Sequence, residues 1–275
     1  MPSIRRELAG YGLTPRKRWG QHFLIDRNIL NKVIRTAELE KGDVVVEVGP
    51  GLGEMTHVLA GQVKKVIAVE IDSKLVEILR KKTSGSANVE IIEQDILKVN
   101  FTQLHKQEGQ RLKVVANLPY QISTPLLFRF IESREVFLTL TLMLQREVAE
   151  RIVAPPGGKA YSPLSVFVQS VSDLSIRFFI KPSAFFPTPK VESAVIHMVW
   201  KENPMVGLED GWFKEVVRSC FGYRRKRLVN ALKHSGIPLP VDLNQRVQSI
   251  GIDPQRRPET LTIQEFARLA DAIRP

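Results

Sequence analysis

The 275-residue sequence holds one cysteine, Cys220. A lone thiol cannot close an internal disulfide, so a reducing compartment, the cytoplasm, is expected. No apolar run reaches the roughly 20 residues that span a bilayer, and no membrane partner is expected. The start, Met1 to Arg18, is basic, but no apolar stretch follows it, so no secretory leader is expected. Five histidines (His22, His57, His105, His197 and His234) stand apart from any Cys or carboxylate cluster at ligand spacing. No metal site is therefore expected. Internal repeats and low-complexity tracts are also missing.

Lys and Arg outnumber the acids chiefly at the two ends. The net charge is +11. Residues 1–35 hold eight Lys and Arg against two acids, and residues 201–275 hold thirteen against nine. The middle, 36–200, is almost balanced, with nineteen against eighteen. A near-neutral body flanked by basic ends suits a polyanion, because cations gain affinity by releasing counterions from phosphates. General solubility is the blander reading of the same charge. Nucleic acid is the favoured one.

The length and the 43% hydrophobic content suit one full α/β domain plus a smaller one. Seven β-like runs follow one another: 44–48, 66–70, 89–92, 112–116, 138–144, 174–180 and 194–200. Short β-branched runs bounded by glycine suit strands buried on both faces. Helical stretches fall between them. Ser73 opens one, Thr124-Pro125 opens another with proline at its first position, and 145–153 holds a third. The pattern predicts an α/β fold, a Rossmann-like domain with a mostly parallel seven-stranded sheet. After Trp200 strand signals stop, and 201–211 reads as a linker. Helices are predicted over 212–221, 224–234, 243–250 and 262–273, separated by prolines. The expected domains are 1–203, with a basic N-terminal arm, and an all-α domain over 204–275.

Gly49-Pro50-Gly51-Leu52-Gly53 follows the first strand directly. Glycines there allow a tight turn and close approach to a ligand, with Gly49 and Gly51 nearest to it. The dinucleotide fingerprint wants its third glycine at position 54, which is Glu54. An acid at that helix start repels a pyrophosphate. A phosphate-free ligand such as S-adenosylmethionine fits better. Glu70 ends the second strand, where a carboxylate accepts ribose hydroxyls. Asp95 follows the third strand, placed for the exocyclic amine of a cofactor adenine. Taken singly, these are an ordinary turn, a surface acid and a cap. Together they sit at successive strand ends, the edge where open α/β sheets bind ligands.

Asn117-Leu118-Pro119-Tyr120 follows the fourth strand on that edge. Adenine N6 is a poor nucleophile because its lone pair is delocalised into the ring. Acceptors on its two N–H groups favour the pyramidal geometry that frees the pair. The Asn117 side-chain carbonyl and the Leu118 backbone carbonyl are candidates, with Pro119 fixing the turn. Tyr120 would stack on a base flipped from its helix. By itself the tetrad is only a turn leaving a strand. Its place in the order of elements makes it a candidate amine-methylation site.

At these residues the sequence resembles the ribosomal RNA adenine dimethyltransferase family. Lys17-Arg18-Trp19-Gly20-Gln21-His22-Phe23-Leu24 is similar to its N-terminal cofactor motif, with the G-Q-[NH]-F-L core intact. Residues 183–195 hold its F-x-P-x-P-K-V-[DE]-S-A-V loop, 221–226 its F-x-x-R-R-K element, and 251–259 its G-[IV]-[DN]-x-x-x-R-[AP]-E segment. The resemblance implies cofactor contacts at His22, Leu24, Gly49, Glu70, Asp95 and Asn117. It implies a catalytic tetrad at 117–120 and a second aromatic wall at Phe185, for which a core Phe is the alternative. It implies a substrate of two adjacent adenosines in a hairpin near the 3′ end of small-subunit ribosomal RNA, within the immature subunit. Arg224, Arg225, Lys226 and Arg227, read as one helical turn, are the RNA-contact candidates. Their alternative is a solvated helix face. A monomer is expected.

Three neighbouring readings remain. A large-subunit RNA methyltransferase would share the fold, but Leu118 and Tyr120 stand where Ile and often Phe are expected. A DNA adenine methyltransferase would carry proline at 118. An assembly factor that methylates incidentally is compatible with every motif, and both roles can coexist.

Overall fold

The structure is a computed structural model that describes residues 4–16, 19–204 and 210–275. Lys17 and Arg18 of the N-terminal motif, and part of the expected linker, lie outside the described residues. The strands are β1 (Phe23–Leu24), β2 (Val44–Val48), β3 (Lys65–Glu70), β4 (Val89–Glu93), β5 (Leu112–Asn117), β6 (Phe137–Gln145), β7 (Ser172–Ile180), β8 (Phe185–Phe186) and β9 (Ser193–Trp200). The helices begin with α1 (Ile4–Gly10), α2 (Arg27–Thr36), α3 (Glu54–Ala60), α4 (Ser73–Lys82), α5 (Phe101–Glu108) and α6 (Ser123–Glu132). They continue with α7 (Arg146–Ile152), α8 (Pro163–Val171), α9 (Gly211–Gly222), α10 (Leu228–Ser235), α11 (Leu243–Ser249) and α12 (Ile263–Ala272).

Seven strands form one sheet in the order β4-β3-β2-β5-β6-β9-β7. The pairs β4–β3, β3–β2, β2–β5 and β5–β6 are parallel, and β6–β9 is antiparallel. Helices cover β2, whose five residues are all buried, including Glu47. That double burial is why the run reads as continuous Val rather than as an alternating pattern. Parallel order brings the C-terminal ends of β2, β3, β4 and β5 to one edge. Gly49, Glu70, Asp95 and Asn117 stand there together.

A second sheet, two strands long, pairs β1 with β8 in antiparallel register, Phe23 opposite Phe186 and Leu24 opposite Phe185. Side chains alternate along a strand, so neighbours face opposite ways. Leu24 and Phe185 pack into the core with Leu30, Ile34 and Val195. Phe23 and Phe186 pack the other way, against Leu8, Leu52, Leu75 and Ile78.

The chain divides into two compact units. One comprises residues 1–149 and 175–199, and the other 150–174 and 200–275. The segment 150–174 thus groups with the helices rather than with the rest of the expected 1–203 domain. Its α8, outside the predicted elements, opens with a capping box between Ser162 and Ser165 and Pro163 at its first turn. Its aromatic side chains explain the grouping. Phe167 meets Phe213, and Tyr161 meets Phe221, both edge-on. No helix among the described residues is long and apolar enough to cross a membrane.

Candidate active site

The glycine loop leaves β2 and enters α3. Gly51 (φ +60°) and Gly53 (φ +84°) adopt left-handed backbone that other residues resist. Space matters as much as conformation. A β-carbon at Gly51 would lie 2.8 Å from the Phe23 ring, and one at Gly53 would lie 2.5 Å from Leu79. The loop can therefore lie flat beneath the N-terminal segment only with glycine at both positions.

Glu70, at the end of β3, is 5% exposed. It accepts three backbone N–H groups, from Gly51 at 3.3 Å and from Ile71 and Asp72 at 2.9 Å. Burial pushes its carboxyl above the usual range, and the three N–H donors pull it back. The carboxylate thus ties the glycine loop to the end of β3. Asp95 caps the short helical turn 96–98, its Oδ1 accepting from the Leu97 N–H at 2.9 Å.

Beneath the loop lies Glu47, fully buried, with neither carboxylate oxygen hydrogen-bonded. Burial pushes its carboxyl up to about 8; the nearby Thr56 hydroxyl opposes the rise, and the Glu70 carboxylate adds to it. Buried polar groups without partners are rare and ask for an explanation. Here the carboxyl lines the cavity that also holds Glu70 and Asp95, and a bound cation would complete it. This donor set has carboxylates where a dinucleotide site would offer N–H groups to phosphate. It fits a cationic, phosphate-free nucleoside such as S-adenosylmethionine.

The tetrad is oriented from outside itself. Asn117 Nδ2 donates to the His22 carbonyl at 2.8 Å. Only the amino end of the amide can make that bond, so Oδ1 remains as the acceptor. The Leu118 N–H donates to Met143 O at 3.1 Å. Tyr120 Oη shares a 2.8 Å hydrogen bond with Ser193 Oγ at the start of β9. Burial pushes the Tyr120 hydroxyl up from its ordinary range, and the Ser193 bond opposes the rise. The His22 ring stacks on Tyr120, with centroids 5.6 Å apart. Its Nδ1 lies 2.6 Å from Pro187 O, which can only accept, so Nδ1 bears the proton.

One cavity thus collects His22, Leu24, Gly49, Gly51, Glu70, Asp95 and all four tetrad residues. Phe185 is a correction. It is 1% exposed, belongs to the core and does not line this cavity. The β1–β8 register turns it inward, so it forms no wall for a base. The helical turn expected over Arg224–Arg227 is a second correction. Residues 223–226 form a turn, and α10 begins only at Leu228, after Arg227 in extended backbone. Arg224 is spent on the Glu259 carboxylate at 2.7 Å, whereas Arg227 and Lys226 hydrogen-bond to Gln255 and His234, partners that carry no negative charge. Arg225, Lys226 and Arg227 are exposed. Glu47 and Ser193 were missed as site residues. A single acid inside an all-Val strand was the available signal for Glu47. For Ser193 there was none beyond its place in a resembling loop.

The model of the ribosomal RNA adenine dimethylase family matches residues 12–274. The Ribosomal RNA small subunit methyltransferase A of Geobacter metallireducens is 42% identical, covering 97% of this chain and 98% of that relative. Its counterpart in Caldanaerobacter subterraneus subsp. tengcongensis is 43% identical over 94% of this chain and 97% of its own length. Among solved structures, a dimethyladenosine transferase from Plasmodium falciparum superposes with a TM-score of 0.77 at 29% identity, covering 90% of this chain and 95% of the other. The 23S rRNA methyltransferase ErmE shares the fold, with a TM-score of 0.71 at 24% identity over 91% of this chain and 99% of its own. The cleft and the full-length match agree: the chain belongs to the ribosomal RNA adenine dimethylase family.

Proposed function

We propose that the protein dimethylates N6 of two adjacent adenosines in a hairpin near the 3′ end of small-subunit ribosomal RNA. The product is N6,N6-dimethyladenosine, and the substrate is the immature small subunit in the cytoplasm, met by the protein as a monomer. The enzyme class and its cofactor, S-adenosylmethionine, follow from family membership. The observation that supports this reading best is the Asn117 amide, held by the His22 carbonyl so that its oxygen is left to accept an amine.

S-adenosylmethionine, when bound, supplies an electrophilic methyl group to the amine nitrogen. Glu70 would accept from its ribose hydroxyls and Asp95 from its adenine amine, and Glu47 would offset its positive charge. His22, Leu24, Gly49 and Gly51 line the same cleft. Asn117 Oδ1 and the Leu118 carbonyl accept the two N6 protons of the target base and draw the nitrogen toward pyramidal geometry. Pro119 fixes the turn between them. Tyr120 stacks on the flipped base, its ring held by Ser193. No base is needed before attack, because the proton leaves afterwards. Catalysis is then positioning and electrostatic preorganisation. Arg225, Lys226 and Arg227 meet phosphates in this reading.

Labelled S-adenosylmethionine offered with unmethylated small subunits, large subunits and naked RNA tests it. The expected label lies on N6 of two neighbouring adenosines in small-subunit RNA. Label confined to large-subunit RNA would overturn the reading.

A further inference from the structure

The tetrad has an exposed neighbour on the same sheet edge. Asn117 pairs with Met143 across β5 and β6, and Gln145 pairs with Ser193 across β6 and β9. Ser193 holds the Tyr120 hydroxyl. One residue further out, the Arg146 N–H donates to Glu192 O at 2.9 Å, and the Arg146 guanidinium pairs with the Glu192 carboxylate at 2.7 Å. That guanidinium lies over the ring of Phe179, 4.7 Å from its centroid. An unbroken line of contacts therefore runs from the catalytic tyrosine to an aromatic ring at the surface.

Phe179 is 46% exposed, and Val191 beside Glu192 is 44% exposed. Lone exposed apolar residues are ordinary. This ring differs by its company. A planar cation covers it, and exposed Lys181 and Lys190 stand in the same loop region. Glu192 is spent on Arg146, and two further acids, Glu147 and Glu150, follow Arg146 on α7. An aromatic face with an arginine plane and flanking lysines is the composition that binds unpaired nucleotides. Bases stack on the ring or the guanidinium, and the lysines meet the phosphates.

We propose that Phe179 and Arg146 form a stacking platform for an unpaired base flanking the target adenosine. The inference rests on the proposed RNA substrate and adds a contact that the tetrad does not make. Removing one adenosine from its helix leaves its neighbours unstacked. A platform joined to Tyr120 through Ser193, Glu192 and Arg146 would recover that stacking and hold the strand in register. It would act on RNA binding and leave the cofactor untouched.

The test uses a fluorescein-labelled RNA hairpin of the small-subunit 3′ end, with binding read by anisotropy. Phe179→Ala is expected to weaken binding about tenfold, the scale of one base–aromatic stack. Phe179→Trp should hold wild-type affinity. One hairpin with an abasic site beside the target adenosines should weaken wild-type binding by a similar factor, and with that RNA Phe179→Ala should add no further loss. The exposed position predicts unchanged cofactor binding and thermal stability for both variants. Unchanged RNA affinity in Phe179→Ala, or losses that multiply at every abasic position, would overturn the platform. So would a variant that binds the hairpin normally but binds whole subunits poorly, which assigns the patch to a protein. A wild-type protein that binds no hairpin and labels no subunit RNA would overturn the substrate reading itself.

Discussion

The cofactor cleft and the basic turn at 223–227 were both legible in the sequence, and they behave differently in the structure. In the cleft, three functional side chains are held by another element: Asn117 by the segment before β1, Tyr120 by β9, and Glu70 by the glycine loop. In the basic turn, three of the four cations meet neighbours within the helical unit, but only Arg224 meets an acid, Glu259; Lys226 and Arg227 bond to His234 and Gln255, which carry no negative charge. Tethering means opposite things in the two places. A tethered amide keeps a free acceptor aimed for chemistry. A cation paired with an acid has less charge to give to a phosphate. Counting charges therefore overstates the RNA-binding power of the turn, while counting motifs understates how much lies around the tetrad.

The largest expected effect that would break this contrast is at Glu70. Glu70→Ala removes the acceptor for three backbone N–H groups, each worth about 1 kcal/mol, as well as the ribose contact. Cofactor affinity measured by calorimetry should fall on the order of 100-fold. A loss below about threefold would mean that the loop does not depend on its tether.

Glu47 sharpens the comparison next. Its carboxyl, raised to about 8, sits above the ordinary value of 4.5, so the folded protein holds a proton that the unfolded chain releases. The associated stability is complete below about pH 4.5 and is lost as pH rises toward 8. At about 1.4 kcal/mol per unit, the loss by pH 7 is on the order of 3 kcal/mol. Glu47→Gln should unfold at a higher temperature than the parent at neutral pH, with a flatter dependence between pH 5 and 8, and should bind the cofactor more weakly. Parallel pH profiles for the two proteins would show that the carboxyl is not held neutral.

Ser193→Ala is smaller. Losing one hydrogen bond to Tyr120, about 1 kcal/mol, should raise KM for RNA roughly fivefold and leave KM for the cofactor unchanged. Ser193→Thr should restore it. Smallest of all are the exposed cations. Arg225→Ala and Lys226→Ala should each lower the slope of log affinity against log salt by about one. Arg224→Ala should act on thermal stability instead, through Glu259. Equal salt slopes for all three would erase the distinction between tethered and available charge.

The parallel sheet could be read from sequence because burial on both faces leaves a simple mark, a run of β-branched residues. The strand-end polar residues could be read because parallel order alone brings Glu70, Asp95 and Asn117 to one edge. Phe185 could not, because its direction depends on a two-residue pairing in which a shift of one position exchanges it with Phe186. The start of α10 could not either. Nothing in a run of four cations shows that Arg224 reaches Glu259, 35 residues away, and leaves the turn non-helical. The segment 150–174 lies between β6 and β9 in sequence but joins the helices through Tyr161 and Phe167, a choice made by packing partners far along the chain.

The central claim is that Asn117, held by the His22 carbonyl, presents its oxygen to the target amine. Asn117→Asp tests it most directly, because it keeps an acceptor oxygen and loses the amino group that makes the tether. Nucleoside mass spectrometry of small-subunit RNA after single-turnover reaction gives the readout. Removing a preorganised group of this kind costs about 10² to 10³ in rate. The expected result, with the cofactor saturating for both proteins, is N6,N6-dimethyladenosine from the parent and at least a hundredfold less from Asn117→Asp. Dimethyladenosine formed by Asn117→Asp at the parent's rate would contradict the account.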